Sequence, residues 1–475
     1  MDRIHRASIK LIREYGMRIS GGRVLDLLME NGASVDSGGI VRIPEELINK
    51  ALASVPKELT IYDRNGRPHM TLGRENRIYF GTHADQLEIL DPFTGEARPF
   101  LKADTRTMCT LADYLPNMDF VLSVGLSSDV QPRRGSVTTF VETVKNFTKP
   151  INFSTNDVDS LKEIIEIASI VAGGPDNLRR RPFIFNYCEP IPPLTHPFES
   201  TEKLYISAVN GIPVIYMPYC MMGGTSPINF ATTLVQCNAE ILTGLVITQL
   251  AGEGAPFIYG AMPSILDMKT TIGSYAAPEF HLLVAGASEM ADYYELPFFG
   301  TAACSDSKTV DVQPCCEISY QLLSTMLSKA NIVHDIGVMD HCNSVSPAMV
   351  VIADELIESL KNYVRGIRAD EEDIRLDLIT GAGHGGNHLL EDHTLGNFMN
   401  IWYPEIFSRK MKNPNKSQIL EIVQEKIRHI VENHKVPELD ANILDRLSGF
   451  LLERTDTAGA SQKDRGENIC TSAET

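Results

Sequence analysis

Between residues 105 and 340 short apolar runs alternate with longer helical patterns, and this alternation constrains the fold more than any other feature. The runs are FVLSVGL (120–126), INFS (151–154), PFIFNYCEP (182–190), PVIYMPYCMMGGTSP (213–227), PFIYGAMPS (256–264), PFFGTAACSDSK (297–308) and IVHDIGVMD (332–340). Helical segments lie between them, among them Leu161 to Val171, Ala231 to Leu250, Glu279 to Tyr294 and Ile318 to Lys329. Strand, helix, strand at this spacing means a parallel sheet buried on both faces. Seven strands, with one more that the pattern does not place, predict an α/β fold, a (βα)8 TIM-type barrel. No G-x-G-x-x-G follows any strand, which argues against an open dinucleotide-binding sheet.

The flanking segments read differently. Residues 1–56 predict a helical preface: Ile4, Ala7, Leu11 and Ile12 keep one stripe, Val24, Leu27 and Leu28 a second, and Pro44 opens a third helix. Residues 57–104 read as extended chain joining the barrel, with turns at Asn65-Gly66 and Thr94-Gly95. The barrel core is expected over 105–360 and a C-terminal helical region over 361–454. A polar, aperiodic tail over 455–475 is expected to be disordered.

A net charge of −18 leaves no broad phosphate-binding face, so nucleic acid is not an expected partner. No run of about eighteen apolar residues occurs, so no membrane span is expected. Nine scattered cysteines without a C-x-x-C pair suit reduced thiols, and the expected location is the cytoplasm.

Barrel chemistry sits where strands end, so the strand-end residues are the candidates. GTAACSDSK (300–308) carries Cys304, Asp306 and Lys308 on a loop of small residues; the plainer reading is an ordinary connection with a structural cysteine. His83 stands near Asp85, and His334 beside Asp335; such pairs orient a substrate, shuttle a proton or bind metal. Strand alternation would turn His334 and Asp335 to opposite faces. Phe185, Tyr187, Tyr216, Tyr219 and Tyr259 offer aromatic faces to a quaternary ammonium, though barrel packing claims some of them. Gly223 and Gly224 allow a tight turn near a ligand. Gln236, Asn238 and Glu240 interrupt an apolar helix; they are exposed positions or, if buried, supports for the site.

Three further patterns carry less. His384, His388 and His393 have a zinc-like spacing broken by Gly385 and Gly386, and no bound metal is expected there. Glu391 to Gly396 imitates a corrinoid motif without the strand–helix context of a cobalamin domain. Cys315 and Cys316 are vicinal and open to redox chemistry, although buried structural thiols are the commoner reading.

In their order, RIHRASIKLIREYGMRIS, VRIPEELINKALASVP, GGTSP with LVQCNAEILTGLVITQL, YGAMPSILDMKT, GSYAAPE and GTAACSDSK resemble the trimethylamine methyltransferase superfamily, nearly throughout the chain up to Arg454. The resemblance implies transfer of a methyl group from a methylated amine to the cobalt of a separate corrinoid protein. The archaeal trimethylamine enzymes carry pyrrolysine immediately before the Ser-Asp pair, where this chain has Cys304. That departure points to the pyrrolysine-free branch, which is similar to demethylases of quaternary amines such as glycine betaine, proline betaine, carnitine and γ-butyrobetaine. It implies His83 and His334 as lining of the substrate site. Tyr187 and Tyr219 are the expected aromatic wall, Asp306 and Lys308 further substrate contacts, and Gly223, Gly224, Asn238, Glu240 and Asp335 supports. No cofactor is expected on this chain; the methyl acceptor is cob(I)alamin on the partner corrinoid protein. Barrels of this size often pair, so a homo-oligomer is expected. The alternatives are another methyl donor (a tertiary amine or a thioether), a zinc-dependent barrel enzyme using Cys304 and histidines, and a binding protein that has lost the reaction.

Overall fold

Eight short strands, buried almost throughout, surround one axis: β1 (Tyr79–Thr82), β2 (Val121–Leu122), β3 (Ile151–Phe153), β4 (Ile184–Cys188), β5 (Val214–Tyr216), β6 (Phe257–Gly260), β7 (Phe298–Thr301) and β8 (Ile332–Ile336). The computed structural model describes residues 1–73, 77–83, 85–409 and 419–451. Every pairing in the sheet is parallel and the order is sequential, β2-β3-β4-β5-β6-β7-β8-β1. A parallel bridge between Gly81 and Phe120 joins the two ends and closes the barrel. The seam requires glycine, because a Cβ on Gly81 would lie 2.5 Å from the Phe120 ring.

Each strand is followed by a helix on the outside: α1 (Lys102–Tyr114), α2 (Gly135–Asn146), α3 (Val158–Val171), α4 (Phe198–Asn210), α5 (Phe230–Ala251), α6 (Pro278–Tyr293), α7 (Val312–Leu327) and α8 (Pro347–Val364). The arrangement is the expected (βα)8 barrel. The strand that the apolar pattern does not place is β1, which lies inside the 57–104 segment between two antiparallel hairpins, Leu59–Tyr62 with Pro68–Leu72 and Glu88–Leu90 with Ala97–Pro99. Inside the barrel Phe120, Phe185 and Phe299 pack ring against ring, and the His334 ring lies 4.5 Å from Phe299. This aromatic plug closes the axis and supports what sits above it.

The preface is a small sheet as well as three helices. Asp2–Lys10, Arg23–Glu30 and Glu45–Ser54 are helical, while Met17–Ile19, Ile40–Arg42 and Ser34–Val35 pair in a sheet that also takes Thr195–His196 from the loop after β4. All three helices pack on α5. That explains the composition of α5, which is long and apolar enough to cross a membrane but is covered inside by the barrel and outside by the preface. Gln236, Asn238 and Glu240 are therefore buried, and the reading of them as exposed is corrected. Asn238 Nδ2 donates to Ser8 Oγ at 2.9 Å and to Tyr294 Oη at 3.0 Å, and its Oδ1 accepts from Tyr259 Oη at 2.9 Å, so it ties preface, α6 and β6 together.

At the other end of the chain, Ile419–Asn433 packs on α8 and α1. Leu376–Ala382 and Asp392–Asn397, the helices of the glycine-rich region, bury no residue. His384, His388 and His393 are exposed there. The tail expected to be disordered lies outside the described residues. The eight described cysteines are free thiols; Cys316 is exposed and Cys315 half-buried, which corrects the reading of this pair as buried.

Candidate active site

The strand ends converge on a cavity of about 470 Å³ at the C-terminal face of the barrel. Its wall is aromatic: Tyr187 from β4, Tyr219 from the loop after β5, and Tyr275 from the segment before α6. Tyr219 and Tyr275 stack at 6.1 Å between centroids. Two acids join them, Asp85 after β1 and Glu189 after β4. Asp85, at φ +61°, accepts from Ser154 Oγ, and Glu189 accepts from Tyr187 Oη. Burial pushes both carboxyls above their usual range, and the neighbouring hydroxyls oppose it. On the opposite charge, Lys203 of α4 lines the same cavity with Nζ bonded to the Thr155 carbonyl. Lys203 is close enough to both acids to draw their carboxyls down, so the hollow carries charges of both signs.

His83 and Cys342 line the cavity beside the tyrosines and lead to a buried polar cluster beneath. His83 Nδ1 pairs with Asp335 Oδ1, and Thr301 Oγ1 donates to Asp335 Oδ2. His83 Nε2 lies 3.3 Å from Cys342 Sγ. His334 stacks on His83 at 5.8 Å, donates from Nδ1 to the Gly300 carbonyl at 2.8 Å, and brings Nε2 to 3.2 Å from Asp335 Oδ1. Burial alone would raise the Asp335 carboxyl, yet the two imidazoles and the hydroxyl hold it down at about 2. Burial would lower His83, but Cys342 and Asp335 raise it well above the usual histidine value. His334 goes the other way, lowered by burial. For Cys342 burial is outweighed by His83, and its thiol falls below the usual value.

Strand alternation would separate His334 from Asp335, and this expectation is corrected. Asp335 adopts φ +80°, and the β8–β1 register shifts between Val333 and Ile336, which turns both side chains into the cluster. Among the described residues, His83, His334 and Asp335 bring ligand atoms within 4.8 Å of one another, a spacing compatible with a metal ion.

The remaining candidates sit away from the cavity wall. Cys304 is fully buried, its sulfur 3.7 Å from Thr301 Oγ1 and 3.8 Å from Gln321 Oε1 of α7. Burial pushes its thiol well above the ordinary value, a setting that favours the neutral thiol over the thiolate. Asp306 accepts from Ser274 Oγ and from the Tyr275 amide at 2.9 Å and lies 3.1 Å from His341 Nδ1, so it fixes the loops that present Tyr275 and Cys342. Lys308 is 76% exposed and pairs with Asp340 at 3.3 Å. Gly223, at φ +90°, and Gly224 form the turn between Met221 and Ser226. Glu240 accepts from the Leu194 amide at 2.8 Å and from Gln236 Nε2 at 3.1 Å, holding the loop after β4.

Sequence reasoning missed Glu189, Lys203, Tyr275 and Cys342 as site residues. Glu189 ends a strand-like run and had a signal; Lys203 sits on a helix, and Tyr275 and Cys342 on loops, where periodicity says nothing. Two larger hollows, about 640 Å³ each, lie at the other end of the barrel, against Phe183 and Arg64 in one case and Pro182 and Pro256 in the other. Phe183, Pro182 and Pro256 precede their strands and Arg64 lies in the turn of the first hairpin, at the end of a barrel that serves stability.

This chain is similar to several known proteins. Over 465 residues it is 29% identical to trimethylamine methyltransferase MttB of Desulfitobacterium hafniense (strain DSM 10664 / DCB-2), covering 97% of this chain and 93% of the relative. It is 28% identical to a glycine betaine methyltransferase of D. hafniense (strain Y51), covering 97% and 96%, and 26% identical to MttB of Methanosarcina barkeri (strain Fusaro / DSM 804), covering 96% and 94%. The crystal structure of the hydroxylamine MtmB complex superposes with a TM-score of 0.50 at 11% identity, over 90% of this chain and 92% of that one, a likeness of fold. The family profile for trimethylamine methyltransferase (MTTB) matches residues 1–459, so the chain belongs to that family of methyltransferases.

Proposed function

We propose that this methyltransferase moves a methyl group from a betaine-like quaternary amine to the Co(I) of a separate corrinoid protein. The observation that carries the reading is the cavity itself, whose lining joins Tyr187, Tyr219 and Tyr275 with Asp85, Glu189 and Lys203. Such a wall matches a zwitterion with a methylated cationic nitrogen and a carboxylate. Each aromatic contact with a desolvated cation contributes about 0.5–2 kcal/mol. The relative named a glycine betaine methyltransferase supports the same substrate class.

A quaternary nitrogen is already cationic. When the nucleophilic cobalt attacks the methyl carbon in line, the C–N bond breaks with its electron pair on nitrogen, and a neutral tertiary amine leaves without a proton. The chain's work is then orientation and desolvation, worth about 7–11 kcal/mol in favourable cases. A general acid is unnecessary, and the inert setting of Cys304 fits a reaction that does not pass through it. The open C-terminal face is where the corrinoid protein docks in this reading, which also includes a homo-oligomer working in the cytoplasm with no corrinoid of its own.

The test is methylation of free cob(I)alamin, followed by absorbance, over a panel of betaines, quaternary amines without a carboxylate, and trimethylamine. Turnover with a betaine and not with trimethylamine is expected. Turnover with a tertiary amine or a thioether would replace the donor. No turnover with any donor, with the cognate corrinoid protein also supplied, would overturn the reading.

A further inference from the structure

We propose that His83, His334 and Asp335 form a binding site for a divalent transition-metal ion of the zinc class, and that the bound ion takes the carboxylate of the methyl donor. The second half rests on the functional reading above; the first half stands without it.

The geometry begins with His334. Its Nδ1 donates to the Gly300 carbonyl, which fixes the tautomer and leaves the Nε2 lone pair facing inward. Nε2 is buried without a hydrogen-bond donor and lies 3.2 Å from Asp335 Oδ1, itself an acceptor. Two acceptors that face each other in a dry interior call for a cation between them. His83 adds a third inward atom: its Nδ1, which pairs with the same carboxylate oxygen while Nε2 turns to Cys342, becomes a ligand when an ion displaces the proton between them. The three ligand atoms lie within 4.8 Å of one another, and all three residues are buried. Small side-chain rotations would bring them onto one ion at about 2.0–2.2 Å.

The outer contacts are those that metal ligands use. A backbone carbonyl holds the far nitrogen of His334, a hydroxyl holds the second oxygen of Asp335, and the Cys342 sulfur meets the far nitrogen of His83. The left-handed backbone at Asp335 is the local departure that delivers two consecutive residues to one point.

Two imidazoles and a carboxylate leave coordination positions open, as catalytic zinc sites do. His83 borders the cavity, so a ligand there reaches the ion past His83. This assignment places a carboxylate clamp where no arginine lines the cavity, and it departs from the expectation of a chain without metal.

The full chain, stripped with a chelator, is titrated with Co2+ and followed by ligand-field absorption, and Zn2+ affinity is measured by chelator competition. About one ion per chain is expected. His334→Ala should weaken binding at least 100-fold with the circular dichroism unchanged, His334→Gln serving if the alanine variant fails to fold. Thr301→Val should weaken it about 10-fold. No uptake, or equal uptake by the His334 variant, overturns the site and assigns any residual binding to exposed histidines such as His384, His388 and His393. A shift of the Co2+ spectrum on adding glycine betaine supports the carboxylate role, and an unmoved spectrum overturns it. Methyl transfer is measured separately: its absence with metal bound counts against the proposed function alone.

Discussion

His334 and Asp335 are consecutive residues of one strand, and both side chains enter the same buried cluster, because Asp335 at φ +80° breaks the alternation of β8. His334 stacks on His83, which lines the cavity, so a defect at His334 is transmitted to the cavity through that ring. Replacing it removes the ring that lies between Phe299 and His83. His334→Ala is expected to lower kcat/KM for the quaternary amine by about 10–100-fold. Steady-state kinetics checks this, and unchanged kinetics would remove His334 from the site.

The resemblance matches Cys304 to the position of pyrrolysine in the archaeal enzymes, and in this structure its sulfur packs between Thr301 and Gln321 with burial favouring the neutral thiol. Cys304→Ala is expected to keep turnover within about threefold and to cost about 1 kcal/mol of stability through a small cavity. Denaturant unfolding and the cob(I)alamin assay measure the two quantities independently. A folded variant without turnover would show that the sulfur takes part in the reaction.

Glu240 gives the protein a pH-dependent stability. Burial raises its carboxyl from 4.5 to about 7, against the opposing bonds from Leu194 and Gln236. A raised folded-state value means the native state holds the proton more tightly, so this contribution is complete below about pH 4.5 and is lost as pH rises through about 7. The loss amounts to ~3 kcal/mol. Urea unfolding between pH 4.5 and 8 should show it as the difference between the native chain and Glu240→Gln, whose amide is neutral throughout while Asp119, raised to about 6, titrates in both.

Helix α5 meets β5 at Gly244, where a Cβ would lie 2.1 Å from the Tyr216 ring. Gly244→Ala must displace that ring and disturb its 2.7 Å bond to His196. A loss of about 1–3 kcal/mol is expected from overpacking, despite alanine's better helix propensity. Thermal unfolding of the variant gives the sign directly.

Seven barrel strands are legible in the sequence because parallel strands buried on both faces leave apolar runs. Tyr79–Thr82 is not, since this short, fully buried strand stands between two hairpins and reads as part of their extended chain. Tyr187, Tyr219, His83 and His334 are legible as strand-end positions. Glu189 carried only the weak signal of a charge at a strand end, while Lys203, Tyr275 and Cys342 reach the cavity from a helix and loops, which no local period marks. The buried polar residues of α5 read as exposed because the cover that buries them comes from the first 56 residues, a long-range contact.

The central claim is that the C-terminal cavity holds a quaternary amine. A crystal structure with glycine betaine bound tests it most directly. The ammonium should lie within about 6 Å of the Tyr187, Tyr219 or Tyr275 rings, with the carboxylate turned toward His83 or Lys203. A betaine found instead in the hollow beside Arg64 and Arg181, at the opposite end of the barrel, would contradict the account.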